Sequence, residues 1–275
     1  MKFKLIAFDL DGTILHDDKS LSAATLHALD AAAEAGALIV PATGRIYGGV
    51  PEALRLRSFA RYFITINGAQ IYDALRGEVL ARAEIPNELA LRLMDYMAGL
   101  DVLFDCYKDD WGYVSGELYA RAPDYITDAG ILALFQRTRS CVPDLREYLR
   151  ESGGSIQKAQ MHFRNLRERK RQLELLPQLF PEIAVSTSVP TNIELNIRAA
   201  NKGEALAVLC EKLGVPLEQT LAFGDGTNDL SLLRTAGLGV AMGNAEFLVK
   251  AAADTVCDDN NRDGAAKFIE KLLAE

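Results

Sequence analysis

The sequence predicts an α/β protein, a doubly wound parallel sheet interrupted by an inserted α/β unit, and three observations carry that expectation. Short apolar runs alternate with amphipathic helical stretches in the first third and again in the last, the pattern of βαβ units. The middle third breaks the pattern with aromatic, strand-like segments and a basic helix. The chain has 275 residues, 49% apolar and 25% charged, which suits about two globular domains with a sizeable core.

In chain order, residues 3–8 read as a buried strand, 22–35 as an alanine-rich helix ended by Gly36, 37–41 as a second strand and 62–66 as a third. The insert is entered near Ile85-Pro86 and left near Val189-Pro190. Within it, Asp109-Asp110 marks a hairpin turn, 155–163 a strand and the following charged stretch a helix. Beyond it, 202–213 is a helix stopped by Gly214, then come strand 220–223, a helix over about 229–235, strand 239–242, a helix from Glu246, strand 255–257 and a terminal helix to Leu273. The core is therefore assigned to residues 1–83 and 191–275 and the insert, as a cap, to 84–190.

Acidic residues outnumber basic ones, leaving a formal charge of −8. That balance argues against nucleic acid as the main partner, because duplex binding rests on phosphate neutralisation. It leaves room for a small phosphorylated ligand held by a local cluster of donors. Cys106, Cys141, Cys210 and Cys257 are far apart with no C-x-x-C pair, and His16, His27 and His162 are equally scattered. A zinc site and a disulfide framework are disfavoured. No signal-peptide core and no membrane-length apolar run is present, so the expectation is a cytoplasmic protein with no membrane partner.

Chemistry concentrates where strands end. Asp9-Leu10-Asp11-Gly12-Thr13 closes the first strand and Gly224-Asp225-Gly226-Thr227-Asn228-Asp229 closes another. Ligands of open α/β sheets bind at the carboxyl ends of strands. Acids converging there repel unless a cation joins them, and oxygen ligands without His or Cys suit Mg²⁺. Ordinary turn chemistry and helix capping account for the same letters taken singly. Ala42-Thr43-Gly44-Arg45 ends the second strand with a hydroxyl and free N–H groups, and Asn201-Lys202-Gly203 opens a helix with a point charge, both suited to an anion.

Together, Asp9-x-Asp11-Gly12-Thr13, Thr43-Gly44-Arg45, Lys202-Gly203 and Gly224-Asp225-Gly226-x-Asn228-Asp229 resemble the four motifs of the haloacid dehalogenase superfamily. Asn67-Gly68-Ala69, Ala241-Met242-Gly243-Asn244-Ala245 and Asp263-Gly264, with the long insert, resemble its Cof-type subfamily. The resemblance implies a Mg²⁺-dependent phosphatase of small phosphorylated metabolites such as a sugar phosphate, nucleotide or phosphorylated cofactor. By the same resemblance, Asp9 is the nucleophile that becomes an aspartyl-phosphate, and Asp11 is the general acid and base. An Asp9 carboxylate oxygen, the Asp11 carbonyl and Asp225 hold the metal. Thr43, Gly44, Lys202 and Asn228 bind the phosphoryl group, Asp229 supports the metal and Lys202 from behind, and Asn67 and Arg45 are possible substrate contacts. The cap is expected to close over the core, exclude water and contact the leaving group.

Three other readings compete. A phosphomutase uses the same core, a non-catalytic protein binds a phospho-ligand and metal without turnover, and Asp259-x-Asn261-x-Asp263-Gly264 with Glu270 matches a calcium loop. The last is disfavoured because 253–257 reads as a strand where an EF-hand needs a helix. The basic run Arg164, Arg167, Arg169, Lys170 and Arg171 reads as a solvated helix face, and His162 as packing. The oligomeric expectation is a monomer or homodimer.

Overall fold

The structure, a computed structural model, describes residues 2–274. In chain order its strands are β1 Leu5–Phe8, β2 Leu38–Pro41, β3 Tyr62–Thr65, β4 Gln70–Asp73, β5 Glu78–Arg82, β6 Val102–Lys108, β7 Trp111–Ser115, β8 Arg139–Val142, β9 Lys158–Phe163, β10 Ile183–Ser186, β11 Asn192–Ile197, β12 Thr220–Gly224, β13 Leu238–Ala241 and β14 Thr255–Val256. The chain divides into two compact units, Met1–Arg82 with Asn201–Glu275, and Ala83–Ala200.

The first unit is built on a parallel sheet of order β14-β13-β12-β1-β2. All four β1 side chains are buried, as a strand covered by helices on both faces requires. The steps from β1 to β2 and from β12 to β13 run in opposite directions across the sheet. Right-handed crossovers therefore put the helices Ala23–Glu34 and Leu230–Thr235 on opposite faces. Ser22 caps the first of these through the Thr25 N–H, and Gly36 turns the chain away at φ 92°. Gly214 does the same for Lys202–Leu213 at φ 64°.

One expected strand has different partners. Tyr62–Thr65 pairs antiparallel with β4, in a three-stranded sheet β3-β4-β5, and touches β2 through a single parallel bridge, Ala42 to Ile64. Leu38 and Ala42 donate their N–H groups to Lys4 and Phe8 on the β1 side, while Thr43 donates to Ile64. Pro41, which should supply the preceding rung toward β3, has no N–H.

The second unit is a six-stranded sheet of order β10-β11-β9-β6-β7-β8. Asp109 and Asp110 both take positive φ, 53° and 59°, and make the two-residue turn between β6 and β7. The helices Asn87–Ala98, Leu145–Ser152 and Leu166–Leu179 bury Leu93, Met94, Leu149 and Leu176 against Cys106, Met161, Ile193 and Leu195 on one face. The unit runs past Pro190, because β11 pairs with β9 and β10. Residues 191–200, assigned by sequence to the core, thus belong to this unit, and Asn192–Ile197 to its sheet. The helix Leu166–Leu179 exposes Arg167, Lys170 and Arg171, while Arg169 donates to the Asn192 carbonyl.

His162 is buried in β9 and meets the Phe135 ring edge-on at 6.2 Å between centroids. Burial pushes its pKa down to about 3, with Arg139 and Lys158 adding to the effect and Glu194 opposing it. The unfolded chain takes up this proton below about 6.5 and the folded chain does not, so stability falls as pH drops from about 6.5 toward 3, by about 1.4 kcal/mol per pH unit. Urea unfolding at pH 7, 5.5 and 4 should show that extra slope in the wild type and not in His162→Phe. Parallel slopes would refute it.

Candidate active site

The ladder Phe8↔Phe223 brings the next residues, Asp9 and Gly224, side by side, and the Asp9 N–H donates to the Phe223 carbonyl at 3.1 Å. Here the chain order switches direction across the sheet, the place where open α/β sheets bind ligands. Lys202, fully buried at the start of its helix, puts Nζ 2.7 Å from Asp9 Oδ1 and 2.6 Å from Asp229 Oδ1. The second oxygen of Asp229 accepts the N–H groups of Asp225 and Gly226, each at 3.0 Å. Asp229 therefore orients the lysine and shapes the loop that presents Asp225. A Cβ on Gly224 would lie 2.4 Å from Asp229 Cβ, so the loop closes this tightly only with glycine.

Asp225 accepts the Thr13 hydroxyl at 2.8 Å. Gly12, at φ 75°, lets the first loop approach it, since a Cβ there would meet Asp225 Oδ2 at 2.3 Å. Asn244 donates to the Gly12 carbonyl at 2.8 Å. Asp9, Asp225 and Asp229 each offer an oxygen within 4.8 Å of the others. Burial raises the Asp9 pKa to about 8, against the pull of Lys202 and with Asp229 and Asp11 adding to the rise. Burial and then Asp229 raise Asp225 to about 6, opposed by the Thr13 hydroxyl and Lys202. Burial disfavours the charge of Lys202 as well, but Asp229 and Asp9 outweigh it and hold the ammonium above its usual range. Crowded carboxylates with raised pKa values, all oxygen donors, fit a hard divalent cation.

Asp11 points its carboxylate elsewhere. Arg45 grips it with both prongs, Nε to Oδ2 at 2.8 Å and Nη2 to Oδ1 at 2.7 Å, and Lys19 adds Nζ at 2.9 Å. Burial opposes ionisation there, but Arg45 and Lys19 outweigh it and hold the carboxyl below its ordinary pKa. Arg45 also donates to the Gly49 carbonyl. Expected as a possible substrate contact, it is committed to Asp11 in this structure.

Thr43 is buried, and its hydroxyl accepts the Arg45 N–H at 3.2 Å. Asn67, at φ 58°, receives the Asn228 amide at 3.3 Å, and a Cβ on Gly44 would sit 2.8 Å from its Oδ1. Gly44, Asn67 and Asn228 are thus one cluster, and Asp9, Asp225, Asp229 and Lys202 another. Lys19 and Thr13 were not assigned roles from sequence. Thr13 lay within the first motif, whereas nothing local marked Lys19, which the turn after Asp17-Asp18 carries back at φ 66°.

The model of the haloacid dehalogenase-like hydrolases matches residues 6–269. The chain belongs to that family, and it is a phosphatase. It is 32% identical over 267 residues to the 5-amino-6-(5-phospho-D-ribitylamino)uracil phosphatase YcsE of Bacillus subtilis, covering 97% of this chain and 94% of that one. It is 31% identical over 286 residues to the pyridoxal phosphate phosphatase YbhA of Escherichia coli, covering 99% and 100%. The structure of a haloacid dehalogenase-like hydrolase from B. subtilis superposes with a TM-score of 0.83 at 27% identity, covering 98% and 99%. Among the described residues, no helix is long and apolar enough to cross a membrane.

Arg45→Gln keeps length and polarity but loses the two-pronged grip on Asp11. If Asp11 carries the proton as the family resemblance implies, misplacing its carboxylate by about an ångström should cost on the order of 10²-fold in kcat. Steady-state phosphate release should show that fall, and an unchanged kcat would mean the grip is irrelevant to turnover.

Proposed function

We propose that the protein hydrolyses phosphate monoesters of small polar metabolites through an aspartyl-phosphate on Asp9, with Mg²⁺ as cofactor and the second unit as a cap that selects substrate. The observation that carries this reading is Asp9 itself, a buried carboxylate at a strand end, held by Lys202 and crowded by Asp225 and Asp229. Asp9, Asp225 and the Asp11 carbonyl would hold the ion. Bound there, it would offset the carboxylates and draw charge from the phosphoryl oxygens.

An Asp9 oxygen attacks phosphorus, the ester P–O bond breaks and the leaving oxygen takes a proton from Asp11. Asp11 then removes a proton from water, whose oxygen attacks phosphorus, and the Asp9–phosphorus bond breaks to release phosphate. Lys202, Thr43, Gly44 and Asn228 bind the phosphoryl oxygens, where charge spreads in the transition state. The Arg45 grip favours ionised Asp11, the form needed to accept a proton from water. Donation to the leaving group therefore requires that grip to loosen within each turnover, and the substrate phosphate is a competing anion for Arg45.

The substrates of the two named relatives are the first to try. Phosphate release from 5-amino-6-(5-phospho-D-ribitylamino)uracil and from pyridoxal phosphate should fall about 10²-fold or more with EDTA, and Mg²⁺ should restore it, as removal of a charge-stabilising group predicts. Turnover insensitive to chelation would overturn the metal assignment.

A further inference from the structure

The letters Asp259-x-Asn261-x-Asp263-Gly264, which match a calcium loop, have protein partners in the fold, and those partners lie on the loop that follows β1. Asn261 Nδ2 donates to Asp17 Oδ2 at 2.9 Å, and the Asp17 N–H returns a bond to Asn261 Oδ1 at 3.1 Å. Asp263 Oδ1 lies 3.0 Å from His16 Nε2. Between these two residues Asn260 is 2% exposed. Its Nδ2 donates to the Leu15 carbonyl at 3.0 Å and to Asp17 Oδ1 at 3.1 Å, so both amide hydrogens go to the first loop. Its backbone N–H donates to Asn244 Oδ1 at 3.1 Å, and Asn244 in turn donates to the Gly12 carbonyl at 2.8 Å. The first loop is thus tied at Gly12, Leu15 and Asp17 from two segments distant in sequence.

The tied loop carries Asp11, and it carries Lys19 back onto Asp11. The Lys19 N–H donates to the His16 carbonyl at 2.9 Å and the His16 N–H to the Ser20 carbonyl at 3.0 Å. Lys19 takes φ 66°, and its Nζ reaches Asp11 Oδ1 at 2.9 Å. The lysine side chain is 58% exposed, and an exposed ion pair is too weak to hold a loop in place. The amide of Asn260 is the stronger tie, because breaking it strands the buried Leu15 carbonyl.

We propose that Asn260 is a positioning residue for the reaction: through Leu15, Asp17 and Asn244 it fixes the loop that carries Asp11, and so sets where that carboxylate stands relative to the leaving oxygen. It acts through the loop and not on the reacting atoms. The proposal rests on the reading of Asp11 as the proton donor. As an Asp9 oxygen bonds to phosphorus and the ester P–O bond breaks, an alkoxide needs the Asp11 proton, whereas p-nitrophenolate departs as a stable anion without it. A loosened loop therefore slows alkyl esters selectively, while lost folding or lost phosphoryl binding slows both kinds alike.

The test compares kcat/KM, which covers the steps up to ester cleavage, for p-nitrophenyl phosphate and an alkyl ester. The alkyl ester is pyridoxal phosphate, or 5-amino-6-(5-phospho-D-ribitylamino)uracil where that is the one turned over. In Asn260→Leu, which keeps the shape and loses the donors, the ratio of p-nitrophenyl to alkyl ester should rise about tenfold or more over wild type. An ångström of misplacement, costing on the order of 10²-fold, allows a shift of that size. Asp17→Ala with Asn244→Ala, both at exposed positions, cuts the clamp from the surface and gives the same reading if Asn260→Leu does not fold. An unchanged ratio in a folded variant, including an equal fall for both esters, overturns the proposal and leaves Asn260 a structural tie. Phosphate release by Asp9→Asn at the wild-type rate would instead sink the aspartyl-phosphate reading, and a wild type inert toward all three esters would remove both.

Discussion

Asp9→Asn is expected to lose phosphate release by roughly 10⁴-fold or more, as loss of a nucleophile does in covalent mechanisms. An amide has no charged oxygen to attack phosphorus, and no other described carboxylate has the same position. Asp225 is tied to Thr13 and Asp229 is occupied by Lys202 and two backbone N–H groups. The substitution should not unfold the protein. Burial already raises the Asp9 pKa to about 8, with Asp229 and Asp11 adding to the rise against Lys202. A neutral side chain of the same shape therefore removes repulsion while keeping an oxygen for the lysine. Thermal unfolding without metal should give a Tm no lower than wild type. Near-normal turnover in a folded Asp9→Asn protein would end the aspartyl-phosphate mechanism.

The largest effect on stability is expected from Lys202→Met. The ammonium is fully buried between Asp9 and Asp229, and removing it leaves two buried carboxylates facing each other. Breaking a buried ion pair from one side costs about 3–5 kcal/mol. Lys202 pulls the Asp9 pKa down, so its loss raises that pKa further. The folded variant then binds protons more readily than the folded wild type, and the deficit should shrink as pH falls from 8 to 5. Urea unfolding at those two values measures this. A variant as stable as wild type at pH 8 would show that Lys202 is dispensable to the fold. Phosphate release should also fall about 10²-fold or more, because a fixed cation near the transferring phosphoryl is gone.

Much of the first unit was legible in the letters. Residues 202–213 form a helix that Gly214 ends and 22–35 one that Gly36 ends, because caps and left-handed glycines are local signals. The strands that carry Asp9 and Asp225 are short apolar runs closed by acids and glycines. The partners of Tyr62–Thr65 were not legible, since they depend on one missing N–H at Pro41 in a different strand. The end of the second unit was misread for a similar reason. Asn192–Ile197 alternates polar and apolar residues like any strand, and only pairing with β9 and β10 assigns it to a sheet.

In the candidate site, sequence order named Asp9, Asp11, Asp225, Asp229 and Lys202 because each sits at the end of a strand or the start of a helix, where side-chain type and backbone geometry are linked. Which carboxylate faces which cation was decided only in three dimensions. Arg45 and Lys19 take Asp11, while Lys202 takes Asp9 and Asp229. The second unit holds the same class of fact: the alternation of Lys158, Gln160 and His162 is visible along their strand, but their burial arises from packing against segments distant in sequence. Periodicity and capping act within a few residues, so the chain alone determined elements and motif order. Ion pairing and burial act across space, so tertiary packing decided charge state and exposure.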